Sequence, residues 1–334
     1  MRLRLVVSAF AFAGAVASAL PAFAMAGCGG RDLIAAMERE APETYARVRS
    51  EGATLVNAEA NLWRVEKTGV PASYLFATVH VTDPRITSMP AAARDALEQA
   101  QTVAVEVTDV NDATLNAAMS EMSDKVMFAP GESLSAHLSP DERVALSEVA
   151  LALGTNSLLL DRMQPWFVGV MLSTPACEQQ RVSSGLEPLD GLIEAEGRAH
   201  GADVVGLETI AEQLGKFAAM PFDAQLANLR LALRTAGQVE DMNETLITLY
   251  REHRIGEVWP LTRIMSGDEA LAQTVIDEFQ TRLIDERNLV MRDRALPLLD
   301  KGGAFIAVGA LHLPGDKGLV ALFREAGYTV TAVE

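Results

Sequence analysis

Four apolar stretches of this sequence each end in, or carry, one side chain able to bind a metal or move a proton. Val79 is followed by His80, Val105 by Glu106, Leu207 by Glu208 and Leu311 by His312. Imidazole nitrogen and carboxylate oxygen are the usual ligands of a catalytic divalent cation that keeps an open position. Glu106 is the most telling of the four. It interrupts Val103-Ala104-Val105-Glu106-Val107, where a lone carboxylate is costly to bury without a cation or a donor. The expected metal set is His80, His312 and Glu106, holding one divalent ion. Glu106 acts there as a further ligand or as the base that deprotonates water. Glu208 is expected to support the site, as a ligand or as the orienter of a histidine. Gly309, three residues before His312, lets the backbone approach closely.

These side chains need strands to present them. Leu62–Glu66 alternates apolar and polar residues, and Lys67–Ala72 with Gly69 and Pro71 reads as a hairpin turn into a strand over Tyr74–Val79. Pro90 suits the first turn of a helix running to about Ala100, followed by a strand over Val103–Val107. From Asn111 to about Leu299 helical patterns dominate, with helices expected over 165–174, 187–200, 223–235, 239–253 and 269–296. Ser139-Pro140-Asp141-Glu142 opens one more, and Gly154 closes it. A strand over Asp203–Leu207 interrupts the run. The chain finishes with a strand over Ala304–Val308, a helix from about Gly318 to Ala326 and a strand over Tyr328–Val333. The expected fold is α/β, a central mixed sheet built from the N- and C-terminal segments around a large helical insert. The carboxyl ends of strands are where such sheets build sites.

The start of the chain has a different character. Arg2 and Arg4 precede an apolar run over Leu5–Leu20, and Ala22-Phe23-Ala24 and Ala24-Met25-Ala26 place small residues as a signal-peptide cleavage site does. Residues 1–26 therefore read as a signal peptide, 27–54 as a helical extension and 55–334 as the main domain. The expected location is periplasmic or secreted, with no transmembrane segment in the mature chain. Cys28 and Cys177 are the two cysteines, and in an oxidising compartment they most simply pair. The alternative is a lipid anchor at Cys28, because Met25-Ala26-Gly27-Cys28 resembles a lipobox. Composition is that of a globular protein, 49% apolar and 22% charged over 334 residues. The 45 acidic against 28 basic residues give a net charge of −17, which opposes binding to nucleic acid or to an anionic membrane surface.

His312 stands in Gly309-Ala310-Leu311-His312, and His80 stands at the same spacing in Ala77-Thr78-Val79-His80. At these residues the sequence resembles the TraB/PrgY/GumN family, whose animal relatives are the TIKI metalloproteases. That family carries two Gly-x-x-His motifs near the ends of its domain and an acidic residue on the strand after the first. Ala77 departs from the first motif. Leu62-Trp63-Arg64-Val65, Gln164-Pro165-Trp166, Leu189-Asp190, Gly206-Leu207-Glu208-Thr209 with Glu212-Gln213, Arg287-Asn288 and Gly327-Tyr328 extend the likeness over roughly 55–334. The resemblance implies a fold related to the erythromycin-esterase and ChaN-like group. It adds Asp190 and Gln213 as binding residues, and Arg287 as a clamp that stabilises developing negative charge. For the TIKI branch alone it implies a metal-dependent hydrolase or protease.

Two functions follow from these residues. One is an exported metal-dependent hydrolase acting on peptide bonds; the other is a protein that sequesters a peptide or small ligand without turnover. The sequence holds no Gly-x-Ser-x-Gly elbow, P-loop, dinucleotide fingerprint or His-Glu-x-x-His. His137, His200 and His253 lie in polar helical surroundings and read as solvated surface residues.

Overall fold

The computed structural model describes residues 28–333 apart from Leu153 and the side chain of Asp112; the signal-peptide reading of 1–26 falls outside them. Six strands form one sheet: β1 (Leu62–Glu66), β2 (Ser73–Thr78), β3 (Thr102–Val105), β4 (Asp203–Gly206), β5 (Ala304–Gly309) and β6 (Thr329–Ala332). Their order is β4-β3-β5-β2-β1-β6. The hairpin makes β1 and β2 antiparallel, and β6 adds antiparallel to β1. The other neighbours are parallel, so β4, β3, β5 and β2 all point the same way. Thr78 lies opposite Gly309 and Val105 opposite both Ala307 and Gly206. One edge of the sheet thus collects the exits of all four apolar stretches. The α/β fold with a helical insert is as expected.

Several boundaries move, for local reasons. The expected helical extension holds two helices, Leu33–Glu40 and Pro42–Gly52, because proline opens a helix and cannot continue one. β3 stops at Val105, so Glu106 is the first residue beyond the strand. The expected single helix over 269–296 is a helix over Glu269–Phe279, a π-helical stretch over Gln280–Asp285 and a helix over Glu286–Lys301. A further helix, Ile210–Ala218, was signalled by Thr209 and Glu212, which exchange the two hydrogen bonds of a capping box.

Leu75, Phe76, Val103, Phe305, Ile306 and Phe323 are fully buried around the sheet. The insert has a separate core, in which Leu134, Leu160, Val168 and Leu229 are fully buried. Leu33, Ile34 and Met37 of the N-terminal extension pack with Leu249 and Leu261 of the insert. Cys28 and Cys177 are joined by a disulfide, Cα atoms 5.5 Å apart. The bridge uses the sulfur that a lipid thioether at Cys28 requires, so lipidation does not coexist with this structure. Among the described residues no helix is long and apolar enough to cross a membrane.

Candidate functional site

Each strand exit delivers one side chain to a common centre. His80 leaves β2, Glu106 leaves β3, Glu208 leaves β4 and His312 follows β5 through a single 3-10 turn over Ala310–His312. Glu106, Glu208 and His312 are buried, whereas 62% of the His80 side chain is exposed. Helices add the remaining groups. The helix over Leu189–Ala199 places Asp190 in its first turn, Ile210–Ala218 supplies Gln213, and Glu286–Lys301 supplies Arg287 and Asn288.

The two imidazoles are oriented by the same device. His80 Nδ1 lies 2.8 Å from Asp190 Oδ2, and Asp190 Oδ1 accepts from the Thr78 hydroxyl at 2.6 Å. His312 Nδ1 donates to Asn288 Oδ1 at 2.7 Å. The direction is set because the Asn288 amide nitrogen itself donates to Lys317 O at 2.9 Å. Tying Nδ1–H to an acceptor fixes tautomer and ring plane, so that on the neutral ring Nε2 carries the lone pair that metal-binding histidines require; His312 is in that form at pH 7, and His80 reaches it on losing the proton that Asp190 favours. A Cβ on Gly309 would stand 3.0 Å from Glu106 Oε1, 3.6 Å from His312 Cδ2 and 3.7 Å from His80 Nε2. A side chain there would crowd Glu106 Oε1 and merely touch the two rings, and the Gly309 N–H donates to Glu106 Oε1 at 2.6 Å. Ala77, which departs from the glycine of the first motif, is buried in β2 opposite Val308.

The carboxylates meet at one guanidinium. Arg287 Nη2 donates to Glu106 Oε2 at 2.6 Å and to Glu208 Oε2 at 2.7 Å, while Nε donates to Glu208 Oε2 at 2.9 Å. Nη1 donates to Leu283 O, on the π-helical stretch. Gln213 Nε2 adds a bond to Glu106 Oε2 at 2.9 Å. Glu208 therefore pairs with Arg287 and makes no bond to a histidine.

Electrostatics follow from this wiring. Asp190 holds His80 up, to about 9, against the cost of desolvation. Burial pushes His312 down to about 4, so it is neutral at pH 7. Burial alone would raise Glu106, but His312, His80, Arg287 and the Gly309 N–H together bring it down to about 2. With His312 neutral, what keeps Glu106 ionised at pH 7 is His80, Arg287 and Gly309. Burial raises Glu208, which Arg287 opposes.

The donor chemistry suits a divalent cation between the two Nε2 atoms and Glu106 Oε1. The spacing is open: among the described residues, the one trio of such donors whose atoms all lie within 4.8 Å of one another is Glu98, Glu196 and His200. His80 is the exposed member of the set. A cavity of about 290 Å³, lined by Leu55, Trp259, Leu311 and Lys317 among others, opens on the loop around His312.

The sequence model of the TraB/PrgY/gumN family matches residues 61–332, which include every residue of this centre. The chain belongs to the TraB/PrgY/gumN family. No curated protein and no solved structure matches it significantly. Within this family member the residues expected from the sequence converge, including Asp190, Gln213 and Gly309. Sequence reasoning missed the roles of Thr78 and Asn288. A hydroxyl two residues before His80 and an amide beside Arg287 were the available signals.

Proposed function

We propose that the chain is an exported, TIKI-like metal-dependent hydrolase that acts on peptide bonds. One observation carries the reading: both strand-end imidazoles have Nδ1 engaged, by Asp190 and Asn288, so that both present Nε2 at the glycine-lined convergence beside Glu106. His80 and His312 would hold a divalent cation through nitrogen, with Glu106 as the third donor, through oxygen, or as proton acceptor. Bound there, the cation supplies Lewis acidity towards a carbonyl oxygen and activates water. Glu106 Oε1 faces His312 Nε2 at 3.7 Å and is ionised at pH 7, as a group that takes up a proton must be. Arg287 keeps a fixed positive charge where negative charge develops. The apolar walls given by Leu55, Trp259 and Leu311 suit a peptide side chain. Export is supported by the N-terminal pattern and by the disulfide, which persists in oxidising compartments.

A second reading, ligand capture without turnover, is favoured by the open spacing of the donors and by the three donors already on the Glu106 carboxylate. Metal content of the untagged mature protein, purified without chelator, separates the two. The hydrolase reading expects stoichiometric metal at the centre, measured with His200→Ala in place so that the outlying trio does not contribute, that is lost in His80→Ala and His312→Ala, together with peptidase activity. A metal-free wild type overturns it.

A further inference from the structure

Away from this centre, Glu98, Glu196 and His200 bring one ligand atom each to within 4.8 Å of the others, with His200 Nε2 3.7 Å from Glu196 Oε1. We propose that these three side chains form a second, peripheral divalent-metal site of the zinc class. It locks the helix over Leu189–Ala199 to the helix over Ala91–Glu98. The proposal stands independently of the hydrolase reading.

Three observations support it. Glu196 and His200 stand one helical turn apart, the i,i+4 spacing that aims two ligands from one helix face at one ion. Glu98 completes the set from a neighbouring helix about a hundred residues earlier in sequence. Second, His200 is, among the described residues, the one basic group that faces these carboxylates. Among the described residues no lysine or arginine pairs with Glu98 or Glu196, although Arg198 lies between Glu196 and His200. Arg198 turns instead to Glu194 at 2.7 Å and Asp109 at 3.0 Å. Third, two helix ends converge here. Glu98 is the last residue of its helix and His200 is the C-cap of the other. Helix C-termini carry partial negative charge and ordinarily disfavour acidic side chains, so two carboxylates at this point break a local rule that a bound cation restores. One imidazole with two carboxylates selects zinc-like ions over magnesium or calcium, and the half-exposed setting leaves room for water to complete the shell.

The consequence reaches the centre. The locked helix carries Asp190 in its first turn, and Asp190 holds His80. The peripheral ion is thus placed to steady the helix that sets one of the central imidazoles.

The test uses the untagged mature chain carrying His80→Ala and His312→Ala, which removes the central histidines, and follows zinc chloride binding by calorimetry. One zinc equivalent is expected to remain. Adding His200→Ala or Glu98→Gln, both surface changes that leave the core intact, should weaken it by about tenfold or more. Zinc at about a hundredfold above its Kd should raise the melting temperature by about 4 °C, a shift absent in the His200→Ala protein. Magnesium in excess should not compete. If the double variant takes up no zinc, or binds it unchanged after His200→Ala, the peripheral site does not exist. Loss of the central metal alone would count against the hydrolase reading and leave this one standing.

Discussion

Replacing Arg287 by methionine should destabilise the fold by about 3–5 kcal/mol at pH 7, the cost of stranding buried charge. The guanidinium is 7% exposed and is the shared cationic partner of Glu106 and Glu208, whose side chains are 5% and 2% exposed. Methionine fills much of the volume and removes every donor. What remains is two buried carboxylates within reach of one another, one of them already raised by burial. For a chain of this size each kcal/mol moves the melting temperature by about 2 °C, so a fall of roughly 6–10 °C is expected.

The pH dependence gives the sharper test. In the wild type, Glu106 is held down to about 2, so its contribution is complete above the unfolded value of about 4.3 and is lost as the pH falls from there towards 2. Glu208 has the opposite sign already in the wild type, where burial raises it, and Arg287→Met raises it further. Burial without the guanidinium holds its folded pKa above the unfolded one, the folded state binds the proton first, and stability rises as the pH falls through that window. The deficit measured by urea unfolding should therefore narrow between about pH 7 and pH 5. Adding Glu208→Gln removes one stranded charge and should recover at least about 1 kcal/mol at pH 7. A loss below about 1 kcal/mol, or a double variant no more stable than Arg287→Met, refutes the account of Arg287 as the counter-ion.

Asn288→Leu removes the acceptor that orients His312, and zinc affinity at the centre, measured in a His200→Ala background, should drop about 10–100-fold with helical circular dichroism unchanged. An unchanged affinity would mean that His312 is not a ligand. Asp83 is buried and lies below the usual carboxylate range, chiefly through its bonds to Arg85. Asp83→Asn should cost about 1–3 kcal/mol at pH 7. Because the wild-type stabilisation is lost as the pH falls through the lowered pKa, the gap should close in acid, and a gap constant from neutral to acid pH argues against it. Reducing the Cys28–Cys177 bridge, which spans 149 residues, should lower stability by up to about 5 kcal/mol and expose 29–51 to protease. Alkylation of both cysteines without prior reduction would exclude the bridge.

What the sequence disclosed was the part of the centre that depends on short-range pattern. An apolar run ending in His or Glu marks a strand exit within a few residues, and the parallel sheet then gathers the exits without further information. What it did not disclose depends on the rotation of helices about their axes. The family resemblance points to Arg287 as a clamp, but its own setting after Asp285 and Glu286 reads as an exposed ion pair. Its partners lie 79 and 181 residues away. The π-helical stretch over Gln280–Asp285 adds to the difficulty, because a wider turn rotates every later residue relative to a 3.6-residue reading. A helix read continuously over 269–296 therefore assigns Arg287 and Asn288 to no particular face. In the structure both are buried, and both touch the centre.

The chain around His80 is held from two sides by the insert. Upstream, Tyr250 donates its hydroxyl to Ala77 O at 2.7 Å. Downstream, Glu178 Oε2 accepts from the Thr82 N–H at 2.9 Å and from its hydroxyl at 2.7 Å. Glu178 directly follows Cys177, and Leu249, which precedes Tyr250, packs against Leu33, Ile34 and Met37 of the N-terminal extension. Residues 28–54 are therefore tied into both supports of the His80 loop, covalently on one side and by packing on the other. With the backbone held at Ala77 and Thr82, the orientation of the exposed His80 ring rests on its Nδ1 contact with Asp190. That contact comes from the first turn of a helix whose far end carries Glu196 and His200.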